Sequence, residues 1–344
     1  MARKNPPHVG PPDMPERNSA IHRLPQIEWV ERNGPSLHPT ALTADPEVLG
    51  LNLTRGCLHR CVFCCVRASP NYIGDSVIQL FKDTASRLSV ELAARPRRPR
   101  AVFISPATDP CPPISEIQAE TTRVVSTLAQ HGIESWLMTR GLIRPVLRET
   151  LATHRIRVKL TIPITTCNRG LQRRLEPLTA SPRLRLRQVA EMRELGVSVQ
   201  VALDPLFPGV TDTRENLVEL LGALSRIGIR QITASYLFLR PAIAENLRRA
   251  LASFKIDDAV LAAYEGGPML TSAGLSSARY LPRSRRQRGY ASLMTLAADF
   301  GIRVNISGLT NPDFGAPRAV TVVPGVSRQL SLPLLADRGV PDQL

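Results

Sequence analysis

Short apolar segments with the composition of β-strands alternate with segments of helical periodicity through most of this 344-residue chain. The six expected strands lie at residues 48–54, 101–105, 134–139, 156–162, 197–203 and 230–236. The expected helices lie near residues 76–94, 115–131, 143–153, 182–195, 212–227 and 241–252. Strands separated in this way by helices pair in parallel through right-handed crossovers. The pattern therefore predicts an α/β protein, either an open doubly wound sheet or a partial (β/α)6 barrel of the TIM type.

The barrel is the favoured architecture, because the first strand leads into a cysteine-rich loop and every later strand ends in a polar or otherwise unusual residue. The predicted domains are a proline-rich N-terminal arm at 1–45, partly disordered, a barrel core at 46–254 and a C-terminal extension at 255–344. Within the extension, a helix at 289–300 and a strand at 302–307 are expected to close one side of the barrel.

The ends of several helices carry recognisable signals. Ser115 with Gln118 resembles a capping box, and Ser181 precedes a proline at the first turn of another helix. Glycines suited to a left-handed C-cap follow three helices, at Gly132, Gly196 and Gly228. The arginine-rich run at 183–187 begins an outer helix, and we expect it to lie on the surface.

The composition restricts the class of protein. Hydrophobic residues make up 43% of the chain, which is enough to bury a substantial core. The sequence has no apolar run of the length that crosses a membrane and no signal-peptide pattern at residues 1–4, so we expect a soluble, cytoplasmic protein without membrane contact. The six cysteines are too few and too clustered for a disulfide scaffold, and such a cluster favours a metal-binding or catalytic role.

The formal net charge of +15 favours a polyanionic partner such as DNA or RNA. Nearly all of this charge is arginine, because lysine occurs only at positions 4, 82, 159 and 255, and codon bias in a GC-rich genome also produces that imbalance. Aromatic residues make up only 4% of the chain, so few side chains are available to stack on bases. The composition alone leaves nucleic-acid binding open.

Three thiols lie close together directly after the first strand, at Cys57, Cys61 and Cys64. Thiolates are the ligands that soft metal centres prefer, and three of them leave one coordination site open for another ligand. An open site on an iron–sulfur cluster indicates a catalytic rather than a structural role. The alternative is a structural zinc ion, which needs a fourth ligand that Cys65 or His59 would supply.

The segment Arg55-Gly-Cys57-x-His59-x-Cys61-x-Phe63-Cys resembles the Arg-Gly-Cys-x-His-x-Cys-x-Tyr-Cys segment of the radical S-adenosylmethionine superfamily, in its spore photoproduct lyase-like branch. The resemblance continues through residues 50–240. The other segments that resemble this branch, called landmarks below, are residues 105–110, Thr139-Arg140, residues 161–166, Leu175-Glu176-Pro177, residues 205–212 and Asn311-Pro312-Asp313.

The resemblance implies that Cys57, Cys61 and Cys64 ligate three irons of a [4Fe–4S] cluster, and that the fourth iron binds S-adenosylmethionine. It implies an enzyme of the lyase or oxidoreductase type that cleaves this cofactor reductively and abstracts hydrogen from a substrate that the sequence does not identify. A reductant such as flavodoxin or ferredoxin is the implied partner. The alternative function is a nucleic-acid-binding protein with a structural metal centre, and an enzyme that modifies DNA or RNA would combine the two.

The same resemblance assigns cofactor contacts to residues at the carboxyl ends of the strands, where parallel β/α proteins place their active sites. Phe63 would shield the cluster and contact the adenine. Ser105, Thr108 and Asp109 would bind the methionine ammonium, Arg140 the methionine carboxylate, and Thr161 and Thr165 the ribose. Each residue also has a structural alternative. These are a core position for Phe63, and capping of the loop and the following helix for Ser105, Thr108 and Asp109. They are a salt bridge at the barrel rim for Arg140, and strand positions chosen for β-propensity for Thr161 and Thr165.

The chain departs from the lyase at two positions that matter for hydrogen donation. The hydrogen-donating cysteine of the lyase corresponds to Pro106, and its tyrosine after the third cluster cysteine corresponds to Cys65. Cys65, Cys111 and Cys167 are therefore the candidate donors here, with Cys111 at nearly the required distance after the second strand. Their alternative role is that of small buried hydrophobic residues. With this altered set of thiols, we do not expect authentic thymine-dimer repair.

Overall fold

The structure, a computed structural model, describes residues 24–67, 69, 72–271 and 277–314. The predictions for the tip of the N-terminal arm, including the leader pattern at residues 1–4, and for the end of the C-terminal extension beyond residue 314 lie outside the described residues. The domain boundaries at residues 45 and 254 remain predictions.

The elements follow one another as strands first and then as alternating helices and strands. The first part comprises β1 (Gln26–Val30), β2 (His38–Pro39), β3 (Val48–Leu51), β4 (Thr54–Arg55), β5 (Val77–Phe81), α1 (Thr84–Ala94), β6 (Ala101–Ile104), α2 (Ser115–Gln130), β7 (Glu134–Met138) and α3 (Pro145–Thr153). The second part comprises β8 (Val158–Pro163), α4 (Arg169–Leu175), α5 (Pro182–Glu194), β9 (Ser198–Leu206), α6 (Arg214–Arg226), β10 (Gln231–Tyr236), α7 (Pro241–Leu251), α8 (Asp257–Ala262), β11 (Met269–Leu270), β12 (Ala278–Arg279), α9 (Arg283–Asp299) and β13 (Arg303–Ile306).

The main sheet has eight strands in the order β13-β10-β9-β8-β7-β6-β3-β2. All neighbours pair in parallel except β2, which runs antiparallel to β3. The six predicted strands correspond to β3 and β6 to β10 in chain order, so the partial barrel of the TIM type is confirmed. β13 from the C-terminal extension adds to β10 at one edge, as the strand prediction for that region required.

One predicted helix was wrong at its start. Residues 77–81 form the strand β5 rather than the first turns of a helix, and α1 begins only at Thr84. The segment Val77-Ile-Gln-Leu-Phe alternates between partly and fully buried positions, which is the period of a strand. It is held between β1, which pairs with it in parallel, and β4, which pairs with it in antiparallel orientation. The N-terminal arm therefore contributes a strand at Gln26–Val30.

Helix ends were predicted with mixed success. Ser181 caps α5 by accepting a hydrogen bond from Leu184 N, and the three predicted C-cap glycines have φ values of +76°, +77° and +75°. The capping box at Ser115 was wrong, because α2 starts without a side-chain cap. Its supposed partner Gln118 instead donates from Nε2 to the carbonyls of Pro112 and Leu142. Those carbonyls belong to two loops that converge on the helix start, a tertiary arrangement that local sequence does not encode.

The two faces of the sheet have different partners. Val201 and Leu203 of β9 are fully buried in the core that the outer helices cover. The residues that alternate with these along the strands face the concave side of the sheet. A separate apolar cluster lies on that side, formed by Val48, Ala101, Phe103 and Trp136. Lys159 of β8 lies on this concave face too, with its Nζ 5.0 Å from the Trp136 ring centroid. Among the helices of the described chain, none has the length and apolarity that crossing a bilayer requires.

Candidate metal centre and active site

The three clustered cysteines lie on one loop that follows β4, at the carboxyl end of the barrel strands. Gly56 precedes Cys57 with φ +80°, and a Cβ at this position would lie 2.7 Å from Val77 O. Only glycine adopts this conformation at low cost and lets the loop pass so close to β5. Arg60, between the first two cysteines, is also left-handed, with φ +52°. The backbone of this loop is therefore tightly constrained.

The loop is anchored by the 175–180 segment, which follows α4. Val62 N donates to Leu175 O at 3.0 Å, and Leu178 N donates to His59 O at 3.4 Å. His59 Nδ1 lies 2.9 Å from Leu178 O, and because a carbonyl only accepts, this nitrogen carries a proton. The cysteine loop and the 175–180 segment are thus joined by three hydrogen bonds.

Glu176 connects this segment to the barrel through two arginines, Arg185, which is buried, and Arg140, which is partly buried. Its Oε1 accepts from Arg140 Nε at 2.9 Å, and its Oε2 accepts from Arg185 Nη2. Burial alone would raise the pKa of Glu176, but the two guanidinium groups hold it below its ordinary value. Arg140 also donates from Nη2 to Asp204 O at 2.6 Å and lies 5.1 Å from the Phe63 ring centroid. The guanidinium of Arg140 is therefore fixed beside the cysteine loop.

The electrostatic state of the thiols is consistent with a metal centre that supplies positive charge. Burial, with the nearby Asp109 carboxylate, raises the pKa of Cys57 to about 12, and burial also raises the pKa of Cys61. A bound cation reverses this preference and deprotonates coordinating thiols outright. The guanidinium of Arg140 acts in the same direction on Cys57 and Cys61. Three soft donors on one constrained loop fit an iron–sulfur cluster.

The zinc alternative depends on a fourth ligand bound to the same ion. A structural zinc ion needs four ligands around one ion, and among the residues that the structure describes, no group of three or more His, Cys, Asp and Glu side chains is arranged to hold a metal ion. His59, one of the two predicted fourth ligands, has its Nε2 only 3.1 Å from Asp109 Oδ2. Its other ring nitrogen binds Leu178 O, so the imidazole is held between that carbonyl and the Asp109 carboxylate.

Asp109 is engaged by the protein on both carboxylate oxygens. Oδ1 accepts from Cys111 N and Thr139 Oγ1, both at 2.7 Å, and Oδ2 accepts from Arg140 N at 2.8 Å. Burial would raise the pKa of Asp109, but His59 and these donors hold it below its ordinary value. The structure thus gives Asp109 a positioning role between three loops, and its predicted contact with the methionine ammonium remains a prediction.

Ser105 and Thr108 lie directly after β6, in the loop that Asp109 belongs to. Ser105 is left-handed, with φ +56°, and its buried Oγ has no hydrogen-bond partner within the described chain. A strained residue with an unpartnered hydroxyl is typical of a ligand site. Thr108 Oγ1 accepts from Thr54 Oγ1 at 3.1 Å, which ties this loop to β4. The role of both residues in cofactor binding remains a prediction.

Phe63, Thr161 and Thr165 occupy different parts of the barrel end. Phe63 packs edge-on against Phe207, with ring centroids 5.5 Å apart, and carries Arg140 on its face. Thr161 is buried on the concave face of β8, whereas Thr165 follows β8 and offers its carbonyl to Asn216 Nδ2 at 2.9 Å. Their predicted adenine and ribose contacts remain predictions.

The three remaining cysteines are dispersed rather than gathered. Cys111 is fully buried in the main core, and Cys167 lies near Glu219 on α6, at the outer layer. Cys65 alone is close enough to Asp204 and Arg240, at the carboxyl ends of β9 and β10, to interact with their charges. Cys111 lies in the loop after β6 at the same end of the barrel but is fully buried, so Cys65 is the one of the three that lies near these charged residues.

Sequence reasoning missed the function of several polar residues here. Glu176 was recognised only as part of a landmark, and Arg185 was expected on the surface, which was wrong because its side chain is 1% exposed. Arg185 binds the carbonyls of Ala180 and Pro163 in addition to Glu176. The glutamate nine positions before it was the one available signal. Asp204, whose pKa is raised by burial, accepts from Ser235 Oγ at 2.9 Å.

Comparison with known proteins identifies the family. The Radical SAM superfamily profile matches residues 51–221, which include the cysteine loop and β3 to α6. The chain belongs to the radical SAM superfamily. Members of this superfamily use a [4Fe–4S] cluster and S-adenosylmethionine, so the predicted cofactors are confirmed. They also need an external reductant.

Solved structures with a similar fold include spore photoproduct lyase. Its complex with dinucleoside spore photoproduct has a TM-score of 0.64 and 12% sequence identity, over 82% of each chain. A mutant of the same lyase with bound AdoMet and dinucleoside spore photoproduct has a TM-score of 0.59 and 12% identity, over 74% of this chain and 75% of the lyase. At this level of identity, the comparison concerns the fold.

Sequence relatives are found in bacteria and in a virus. An uncharacterized protein of Mycobacterium tuberculosis (strain ATCC 25618 / H37Rv) is 27% identical over 235 residues, which cover 63% of this chain and 68% of the relative. An uncharacterized protein of Acidianus two-tailed virus is 24% identical over 222 residues, which cover 60% of this chain and 73% of the relative. These relatives share sequence with the radical SAM chain but indicate no substrate.

Proposed function

We propose that this radical SAM protein holds its [4Fe–4S] cluster through Cys57, Cys61 and Cys64, binds S-adenosylmethionine at the open iron, and abstracts hydrogen from a substrate. When bound, the cluster would supply the electron for reductive cleavage of S-adenosylmethionine, the reaction that starts hydrogen abstraction in this superfamily. The observation that carries the proposal is the constrained three-thiol loop at the carboxyl end of a parallel barrel. A flavodoxin or ferredoxin would deliver the electron.

The surrounding residues would hold and shield this centre. Arg140 would place fixed positive charge beside Cys61, and its Nη1, which makes no hydrogen bond within the described chain, is available for the methionine carboxylate. Phe63 would exclude water from one side, with its ring held by Phe207. Ser105 Oγ would bind a polar group of the cofactor, because it lacks any other partner among the described residues.

Cys65 is the preferred hydrogen donor among the three candidate thiols. It lies near Asp204 and Arg240 at the barrel end, whereas Cys111 and Cys167 face the core and the outer helix. Cys65 occupies the place of a tyrosine in the spore photoproduct lyase pattern, and the lyase's own donor position is a proline here. We therefore propose a reaction other than thymine-dimer repair.

Anaerobic reconstitution with iron and sulfide tests the cluster. The expected product is a brown protein with about four irons per chain, the EPR signal of a reduced [4Fe–4S] cluster, and 5′-deoxyadenosine formed from S-adenosylmethionine. Cys57→Ala should lose the cluster, whereas Cys167→Ala, the matched control outside the loop, should retain it. A wild-type protein that binds zinc and no iron, or forms no 5′-deoxyadenosine, would refute the proposal.

We also propose that the substrate is a nucleic acid, on the basis of arginines at the carboxyl end of the barrel. α4 and α7 follow β8 and β10 at that end, and α9 starts there because it precedes the parallel strand β13. The exposed arginines of this region without an ion pair to an acidic side chain in the described chain are Arg169, Arg173, Arg174, Arg279, Arg283, Arg285 and Arg288. Such a surface attracts phosphates.

Salt-dependent binding of single-stranded DNA or RNA tests this assignment. Replacing Arg285 and Arg288 by serine should lower the slope of log K against log[salt] by about 2. Replacing Arg97 and Arg98, exposed arginines at the opposite end of the barrel, should leave that slope unchanged. Absence of binding at moderate salt would refute the assignment. Binding by a protein that holds no iron, unaffected by Cys57→Ala, would instead favour a nucleic-acid-binding protein with a structural metal centre.

A further inference from the structure

The concave face of the sheet has an apolar half and a polar half. The apolar cluster lies on β3, β6 and β7. On the other strands, Thr161 of β8 pairs in register with Gln200 of β9, and Thr233 of β10 pairs with Asn305 of β13. Thr233 also pairs with Ala202, two positions after Gln200 on the same face. These four polar side chains therefore share one continuous concave surface across four strands.

Two amide side chains of this polar half are buried without partners. Gln200 and Asn305 are 8% and 7% exposed. Gln200 Oε1 and Asn305 Nδ2 are inaccessible and have no hydrogen-bond partner within the described chain. Burying an unpaired amide costs stability, so proteins rarely retain one unless another molecule completes its bonds. Two such amides on one surface indicate a ligand that presents both a hydrogen-bond donor and an acceptor.

The four side chains of this surface, two amides and two hydroxyls, carry no charge. Of the ionisable groups nearby, Lys159 Nζ is paired with Glu134 Oε2 at 2.9 Å, and burial raises the pKa of Asp204, which accepts from Ser235 Oγ. These contacts favour a neutral ligand group. Amide side chains pair well with the donor–acceptor edge of a nucleobase, and enzymes that act on a base take it out of the stack into a pocket.

We propose that Gln200 and Asn305, with Thr161 and Thr233, form a subsite that reads the hydrogen-bonding edge of a nucleobase. This inference rests on the proposed function, since the exposed arginines at the barrel end would hold the phosphates while the base enters the concave side. The cysteine loop and Ser105 lie on the β3–β6 side. The base would thus lie toward β9, β10 and β13, and Thr161, predicted from the sequence to contact the ribose, would belong to this subsite instead.

Binding to the reconstituted protein, in the presence of S-adenosylmethionine, tests the subsite. The probes are the individual nucleosides and a short single-stranded oligonucleotide, as DNA and as RNA, which distinguish a free nucleoside from a base within a polymer. Gln200→Leu and Asn305→Leu should each weaken binding by about tenfold or more. The thermal midpoint of the ligand-free protein should stay the same or rise, because an unpaired buried amide is removed. Gln130→Leu, at an exposed glutamine of α2, is the matched control.

Three outcomes would overturn the inference. Wild-type protein that binds neither nucleosides nor oligonucleotides lacks the subsite. Equal oligonucleotide affinity in wild type and both leucine variants would show that the amides do not read the base. A lower thermal midpoint in both leucine variants with unchanged binding would show that the amides have structural partners. Loss of cluster formation or of 5′-deoxyadenosine production in wild type would instead refute the proposed function, while the binding result stands separately.

Discussion

Neutralising Glu176 is expected to destabilise the protein far more than neutralising a surface glutamate. The carboxylate of Glu176 is 3% exposed and lies between Arg185, 1% exposed, and Arg140, 17% exposed. Glu176→Gln keeps the side-chain size but leaves both guanidinium groups without a counter-charge in a buried environment. Breaking a buried pair in this way typically costs about 3–5 kcal/mol. That is a large fraction of the stability of an ordinary domain, about 5–15 kcal/mol.

The assay is thermal unfolding of the variants, with Glu191→Gln as the matched control. Glu191 pairs with Arg187 and Arg148 at 3.2 and 3.5 Å, and its side chain is 39% exposed. Surface pairs of this kind contribute about 0–1 kcal/mol. At about 2 °C per kcal/mol for a large chain, Glu176→Gln should lower the midpoint by about 6–10 °C and Glu191→Gln, which loses two surface pairs, by no more than about 4 °C.

A second measurement separates this effect from a general loss of stability. The 175–180 segment holds the cysteine loop through Val62, His59 and Leu178, so its release should expose the loop thiols locally. Below the unfolding transition, iodoacetamide should label Cys57 and Cys64 of the cluster-free Glu176→Gln variant faster than in wild type. Equal midpoints for the two variants, together with unchanged labelling, would refute the reasoning.

Three further predictions concern other parts of the molecule. The pKa of Glu176 in the folded protein lies below its ordinary value of 4.5. Its contribution to the free energy of unfolding is therefore complete above pH 4.5 and is lost as the pH falls through the lowered pKa. In that acid range, the stability of Glu176→Gln should depend less on pH than that of the wild type, as acid unfolding will show. Gly56→Ala should destabilise more than Gly34→Ala, because both have positive φ but only the first meets a backbone carbonyl at 2.7 Å; midpoints that fall equally would contradict the contact argument. In D2O and without substrate, the 5′-deoxyadenosyl radical takes deuterium from an exchangeable bond such as the S–D bond of Cys65; Cys65→Ala should therefore lower deuterium incorporation into 5′-deoxyadenosine severalfold, whereas Cys167→Ala should not, and mass spectrometry of the nucleoside distinguishes the two.

The barrel was predictable because its information is local and repeated. Each central strand is a short apolar run, and each following helix carries its own periodicity, so the parallel pairing follows from the alternation. The strand at Val77–Phe81 was not recognised, because it is contiguous with a helical segment and is specified by its pairing with β1 and β4, which are distant in sequence or very short. Such pairings depend on tertiary contacts that outweigh local propensity.

The site was predictable only where its functional residues lie close together in the sequence. Three cysteines within eight positions identify a metal loop by themselves, whereas the surroundings are assembled from separate loops. Arg185 illustrates the limit: it lies among exposed arginines on α5, and its burial depends on meeting Glu176 and two backbone carbonyls. The unpartnered amides of Gln200 and Asn305 were also invisible, since their significance lies in having no partner in the folded chain.

The arginine at position 140 links these observations, because its side chain makes contacts that a lysine could not make. An ammonium group is a compact charge with donors at a single point, whereas a guanidinium presents separate N–H groups and a flat face. Arg140 uses all of these: Nε binds Glu176, Nη2 binds Asp204 O, and the plane lies against Phe63. A lysine at this position could not make these three contacts at once. The arginine, Glu176 and the buried Arg185 are therefore best understood as one unit, whose geometry fixes the cysteine loop relative to β7, β8 and β9.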